Sequence, residues 1–200
     1  MAAGRPRSFD EADVLERATQ VFWAKGFDAS SVADLERATG LGRQSLYNAF
    51  GDKRSLFLAC LAHYERSRAG GMGACLAAAA DPLAAVQQVV RSWLDSARAT
   101  GCKGCLVLNT LSEFGGRDPE LLETVGRVLA AQQVALAGAL TRAQAQGQLD
   151  PGLDPLAVAR RLQATGNGLA MLARLDPQSE VLDDIVADTL ASLRPPAVAA

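Results

Sequence analysis

The spacing of apolar residues predicts helices along most of the chain, each opened or closed by a recognisable punctuating residue. Val14, Ala18 and Val21 make one stripe, with Leu15 and Phe22 beside it, over roughly residues 9–25, and Gly26 ends that run. Val32, Leu35 and Ala38 then recur at i, i+3, i+6 behind Ser31, a favoured N-cap residue with Asp34 placed to close a capping box. Gly40 supplies the left-handed stop, Leu41 can plug the corner, and Gly42 is a permissive start for a helix from Arg43 to Phe50. On that helix Leu46 and Phe50 share one face, while Arg43, Gln44, Ser45, Tyr47 and Asn48 project elsewhere. Asp52 can cap a fourth helix whose run Leu56, Phe57, Cys60, Leu61 and Tyr64 leads toward Arg68. Gly70, Gly71 and Gly73 break or loosen that path, unless one long helix continues across them.

Beyond the glycines the pattern is that of a helical bundle. Pro82 suits a first helical turn, with Val86, Val89, Val90, Trp93 and Leu94 at helical spacing behind it. A short apolar helix from about Cys105 to Phe114 is stopped by Gly115 and Gly116. Asp118-Pro119 opens a long helix to roughly Gln146, and Asp154-Pro155 opens the next. Asp176-Pro177 ends that one, and Val181, Ile185, Thr189 and Leu193 mark the last. Pro195-Pro196 and the alanine-rich end, residues 195–200, read as a disordered tail. No internal repeat is evident.

Composition narrows the class. Alanine and leucine abound while β-branched and aromatic residues are sparse, which favours an all-α fold. No run of apolar residues is long enough for a membrane span, and the N-terminus lacks the apolar stretch of a signal peptide. Four cysteines at irregular spacing do not make a disulfide framework, so the expected setting is a reducing cytoplasm. Net charge would not suggest nucleic acid: residues 1–68 carry +1 and residues 69–200 carry −3. Position matters more than total. Arg5, Arg7, Arg43, Lys53 and Arg54 cluster on an N-terminal arm and around the Arg43–Phe50 helix.

The polar face of that helix has the chemistry for duplex DNA. Arginine suits guanine, glutamine and asparagine suit adenine, and serine and tyrosine hydroxyls suit the backbone. Residues 30–56 therefore read as a helix-turn-helix. The run from Leu41 to Leu56, LGRQSLYNAFGDKRSL, resembles the TetR family of transcriptional repressors in its turn, its Leu46-Tyr47 pair, Phe50, and Lys53 at the next helix start. Several fixed offsets agree at once, and the likeness covers roughly residues 8–57. Gly42 departs from the serine common at that cap, which weakens the helix start by a few tenths of a kcal/mol, on the order of a glycine N-cap's cost. Ala49 departs from the usual aromatic. The resemblance implies phosphate contacts from Tyr47 and Lys53 and base contacts from Arg43, Gln44 and Asn48. To these the residue types add Arg5, Arg7, Ser31 and Arg54 for phosphates and Ser45 for bases.

The expected organisation is an arm and three-helix DNA-binding head over residues 1–52, followed by a helical effector-binding and dimerisation body over residues 53–194. One such motif reads few base pairs, so a homodimer reading both halves of a palindromic operator is expected. The last two helices are the candidate dimer surface. There the small residues Ala164, Gly166, Gly168 and Ala170 either admit a partner helix or serve packing within one subunit. An apolar bundle with a few polar groups suits an amphipathic organic effector. Candidate effector contacts are Trp93, Cys105, Asn109, Glu113, Gln132, Gln133 and Asn167, although Asn109 can equally bond nearby backbone and Glu113 can face solvent.

The segment Gly101-Cys102-Lys103-Gly104-Cys105-Leu106 has three readings. A zinc site is incomplete, with no second cysteine pair and the only histidine, His63, far away. A redox pair of Cys102 and Cys105 is open, and relatives with a similar Gly-Cys-Leu segment look like sensors of oxidants or electrophiles. The third reading has Cys105 as a small buried packing residue, Cys102 as an incidental thiol, and Cys60 and Cys75 as packing residues. No metal or cofactor is expected. One histidine, no glycine-rich phosphate loop and no nucleophile motif argue against an enzyme. A repressor released by a small molecule is the leading function, with a thiol sensor on the same fold and a helical protein-interaction module as alternatives.

Overall fold

The structure is a computed structural model that describes residues 9–99 and 103–193, the side chains of residues 68–70 excepted. Arg5, Arg7, Cys102 and the tail at 195–200 lie outside the described residues. Within them are ten α-helices: α1 (Glu11–Lys25), α2 (Val32–Thr39), α3 (Arg43–Phe50), α4 (Lys53–Tyr64), α5 (Gly70–Ala78), α6 (Pro82–Ala99), α7 (Leu106–Phe114), α8 (Pro119–Ala145), α9 (Pro155–Leu172) and α10 (Glu180–Ala191). The fold is all-α, as the periodicity predicts. No helix among the described residues is long and apolar enough to cross a membrane.

Two compact units divide the chain, Met1–Ser67 and Arg68–Ala200. The first closes around an aromatic centre. Phe22 of α1 meets Phe57 of α4 edge-on at 4.9 Å, and Phe27 lies 5.2 Å from Phe57 and 6.2 Å from Phe22. Val14, Leu15, Ala18, Leu35, Leu46, Leu56 and Leu61 are buried around them. Because α4 buries Leu56, Phe57, Cys60 and Leu61 in this unit, the head extends beyond the boundary expected at residue 52. At residues 65–69 the chain takes one π-helical turn, and α5 then carries Gly70, Gly71 and Gly73 as helix. The glycines thus do not end the helical run. The π-helix is rare and occurs mostly as single turns within α-helices.

The second unit is a bundle whose core runs from Leu76 through Val86, Val90 and Leu94 to Leu136, Leu140, Leu162, Leu169 and Leu182. Two contacts set its register. The Arg98 guanidinium on α6 grips both carboxylate oxygens of Asp183 on α10, at 2.7 and 3.2 Å, and also donates to the Pro177 carbonyl at 3.0 Å. This fork holds the Asp183 carboxyl below its ordinary range.

The second contact is a close approach of α6 to α9. A Cβ at Gly166 would lie 2.7, 2.9 and 3.1 Å from three atoms of the Trp93 ring. Gly166 therefore serves packing inside the subunit. Of the four small residues it is the one this geometry removes from the partner-helix reading; Gly168 has open space where a Cβ would be. Gly166→Ala should destabilise the body by about 1–3 kcal/mol, the usual cost of overpacking. Thermal melts in the wild-type and Trp93→Leu backgrounds would check this, since most of the loss should vanish when the indole is gone.

Candidate nucleic-acid interface

The helix-turn-helix is built by short-range hydrogen bonds that the sequence specifies. At the start of α2 the Ser31 hydroxyl accepts from the Asp34 N–H at 3.1 Å, and the Asp34 carboxylate accepts from the Ser31 N–H at 3.1 Å, closing the capping box. Asp34 also meets Lys25, the last residue of α1, at 2.7 Å, so one carboxylate ties the end of α1 to the start of α2. Hydrogen bonds from Lys25 and then from Ser31 hold its carboxyl far below the ordinary range. Gly40 ends α2 at φ 72°, the left-handed conformation for which glycine is favoured. Asp52 caps α4 by accepting from the Ser55 N–H at 2.7 Å.

Helix α3 is anchored by one residue and open on the rest. Leu46 is wholly buried, Tyr47 and Phe50 are half-buried, and Arg43, Gln44, Ser45 and Asn48 are exposed. The exposed side chains pair one turn apart. The Arg43 guanidinium lies 5.5 Å from the centre of the Tyr47 ring, and the Gln44 amide donates to the Asn48 side-chain oxygen at 3.4 Å. The outward polar face is thus ordered in two parallel rows. Lys53, at the first turn of α4, holds its ammonium 4.5 Å from the centre of the Phe27 ring. That places a cation at the edge of the aromatic centre, on a half-buried stem. Ser31 is exposed with its hydroxyl inside the capping box, and Arg54 is half-buried.

One supporting residue escaped the sequence reading. Gly42 at the N-cap of α3 has no side chain to offer, and the Glu36 carboxylate of α2 takes over, accepting from the Arg43 N–H at 2.6 Å. Nothing in residue spacing announces this bond, because it crosses the turn between two helices.

The candidate effector residues make the following contacts in the body. Trp93 covers Gly166. Gln132 and Gln133 converge on Gln163, a buried glutamine absent from the sequence reading. Gln163 donates to the Leu129 carbonyl at 2.9 Å and to Gln132 at 3.2 Å, and accepts from Gln133. Asn109 bonds on both sides of its amide. Its amide donates to the Lys103 carbonyl at 2.8 Å, and its oxygen accepts from Arg174 at 3.1 Å. The bond to nearby backbone, one of the two readings open for Asn109, is present. Glu113 and Asn167 are half-buried.

The cysteine environments match expectation at Cys60 and differ from it at Cys75 and Cys105. Cys60 is buried as a packing residue, and burial pushes its thiol up to about 12. Cys75 is exposed on α5 and packs in no core, contrary to the packing role expected. Cys105 is half-buried rather than buried. It caps α7 with extended backbone, and its carbonyl accepts from the Asn109 N–H at 2.9 Å.

Comparison with known proteins agrees with this geometry. Residues 14–60 match the family described as bacterial regulatory proteins, tetR family, and residues 82–188 match the tetracyclin repressor-like C-terminal domain. The chain is 31% identical over 192 residues to the uncharacterized HTH-type transcriptional regulator YezE of Bacillus subtilis, covering 95% of this chain and 99% of that protein. It is also 31% identical to the HTH-type transcriptional repressor ComR of Escherichia coli, over 94% of this chain and 90% of the relative. Among solved structures, a cysteine mutant of the TetR family transcriptional regulator CifR in complex with 26-bp double-strand operator DNA superposes with a TM-score of 0.80. That pair is 28% identical, over 94% of this chain and 99% of the other.

Proposed function

Since the chain belongs to the TetR family of bacterial transcriptional regulators, we propose that it is a homodimeric repressor that grips a palindromic operator through α3 and leaves it when an effector binds the body. The observation that carries this reading is the exposed row of Arg43, Gln44, Ser45 and Asn48 on a helix pinned by buried Leu46. These residues contact base edges. Tyr47, Lys53, Ser31 and Arg54, with Arg5 and Arg7 of the N-terminal arm, contact phosphates. The chain acts by binding rather than by catalysis. A DNA-bound CifR and a repressor named ComR among the relatives support the assignment.

Dimerisation would use the last two helices. Large apolar side chains stand exposed there: Met171 and Leu172 at the end of α9, Leu175 in the following turn and Val181 on α10. Soluble monomers seldom leave such a group uncovered. Two bound heads must match two half-sites, so an effector that favours a differently spaced pair releases DNA, by no more than its differential affinity for the two states.

A titration of duplex binding against salt tests the DNA reading. Counterion release gives a steep slope that protein docking through the same face would not share. Lys53→Ala should weaken binding to all duplexes alike and reduce the salt slope by about one unit. An unchanged slope and affinity would remove Lys53 from the interface.

A second reading concerns release. Cys105 stands half-buried at the N-cap of α7, within reach of a small oxidant. Release of DNA by mild oxidant, reversed by a thiol reductant and absent in Cys105→Ser, would establish a thiol sensor in place of a non-covalent effector. Release by oxidant in the Cys105→Ser protein would exclude it.

A further inference from the structure

We infer that Glu36 is a positioning residue for operator recognition: its carboxylate replaces the missing N-cap of α3 and so fixes where Arg43 and Gln44 enter the groove. This rests on the reading that α3 contacts base edges. The N-terminal turn of such a helix points most deeply into the major groove, so its backbone must be held. The N–H groups of a first helical turn have no partner within the helix. A serine or aspartate at the N-cap would satisfy one of them, and Gly42 cannot. Glu36 satisfies one from outside. Its Oε1 lies 2.6 Å from the Arg43 nitrogen, a short charge-assisted bond across the turn.

The consequences are geometric as well as energetic. Glu36 sits one turn into α2, whose N-terminus is fixed by the Ser31–Asp34 box and by Lys25 of α1. Through this bond the backbone of Arg43 is referred to α1 and α2 as well as to its own helix. The Arg43 guanidinium, in turn, stacks on Tyr47. Glu36 also brings a negative charge to an edge that meets phosphates. Losing it should therefore weaken selective binding without weakening non-selective binding, a combination that a merely destabilised head would not produce.

The exchange of caps is testable because Gly42 has room for a side chain. Its φ of −68° suits any residue, and an added Cβ would meet only Glu36 Oε1, at 3.9 Å. Affinities would be measured by fluorescence anisotropy for a duplex selected from a random pool by the wild-type protein, and for a scrambled duplex of the same length. Glu36→Ala should reduce the ratio of the two affinities by roughly fivefold for each head engaged, the equivalent of one helix cap. Affinity for the scrambled duplex should hold or rise. Glu36→Gln should keep the ratio within about twofold, since the amide oxygen still accepts. Gly42→Ser in the Glu36→Ala protein should recover thermal stability but not the ratio, because its hydroxyl caps the start of α3 itself and leaves the Arg43 N–H untied to α2. An unchanged ratio in Glu36→Ala overturns the inference, as does a lost ratio that Gly42→Ser alone repairs. A wild-type protein that prefers no duplex would overturn the reading of α3 itself, and this inference with it.

Discussion

Phe57→Ala should destabilise the head by about 3–5 kcal/mol, the range for truncating a buried phenylalanine. Phe57 is 1% exposed and touches both Phe22 and Phe27, so the cavity cannot close without moving α1 or the turn after it. Native domains are stable by only about 5–15 kcal/mol, so the loss consumes much of what the head has. Urea unfolding should show an early transition for residues of the first unit, with operator binding lost and the bundle's own transition retained. The core of that bundle is formed by residues from Leu76 onward, which supports the separation. A single late transition at the wild-type midpoint would mean that the aromatic centre is not what holds the head together.

Arg43→Ala should reduce affinity for the selected operator by about 1–3 kcal/mol per head, the worth of a good bidentate base contact. Its signature is loss of preference at one base position in each half-site, because the side chain lost is exposed and lies over the Tyr47 ring. Gln44→Ala should relax a different position, and the ordered Gln44–Asn48 pair implies that Asn48 shares that readout. Competition assays with single-base variants of the operator would read both effects. Uniform weakening across all variants would reassign Arg43 to the backbone.

Local features of the head were legible because they depend on neighbours in the chain. Ser31 with Asp34, Gly40 and Asp52 act within a few residues, and the structure has each in the expected role. The outward face of α3 follows from Leu46 alone, since one buried position fixes the others by helical rotation. Helix limits were read to within a few residues for the same reason. What escaped were pairings between elements. Arg98 with Asp183, Trp93 with Gly166, and Gln163 with Gln132 join residues far apart in sequence. Periodicity says which face of a helix is apolar, but not which helix will cover it. The glycines at 70, 71 and 73 show a different limit. Glycine lowers helix propensity by about 1 kcal/mol, which the neighbouring helical turns can outweigh. The same segment places Cys75 outside the core: Met72 and Leu76 mark its apolar side, and Cys75 stands exposed.

The most direct test of the DNA assignment is selection of bound duplexes from a random pool at low ionic strength, repeated as salt is raised. The hydrophilic side of α3, presented twice by a symmetric pair, should enrich an inverted repeat whose preference persists while non-selective binding fades. A pool that emerges unenriched, or enriched in a single half-site without symmetry at every protein concentration, would contradict a dimeric groove-reading protein.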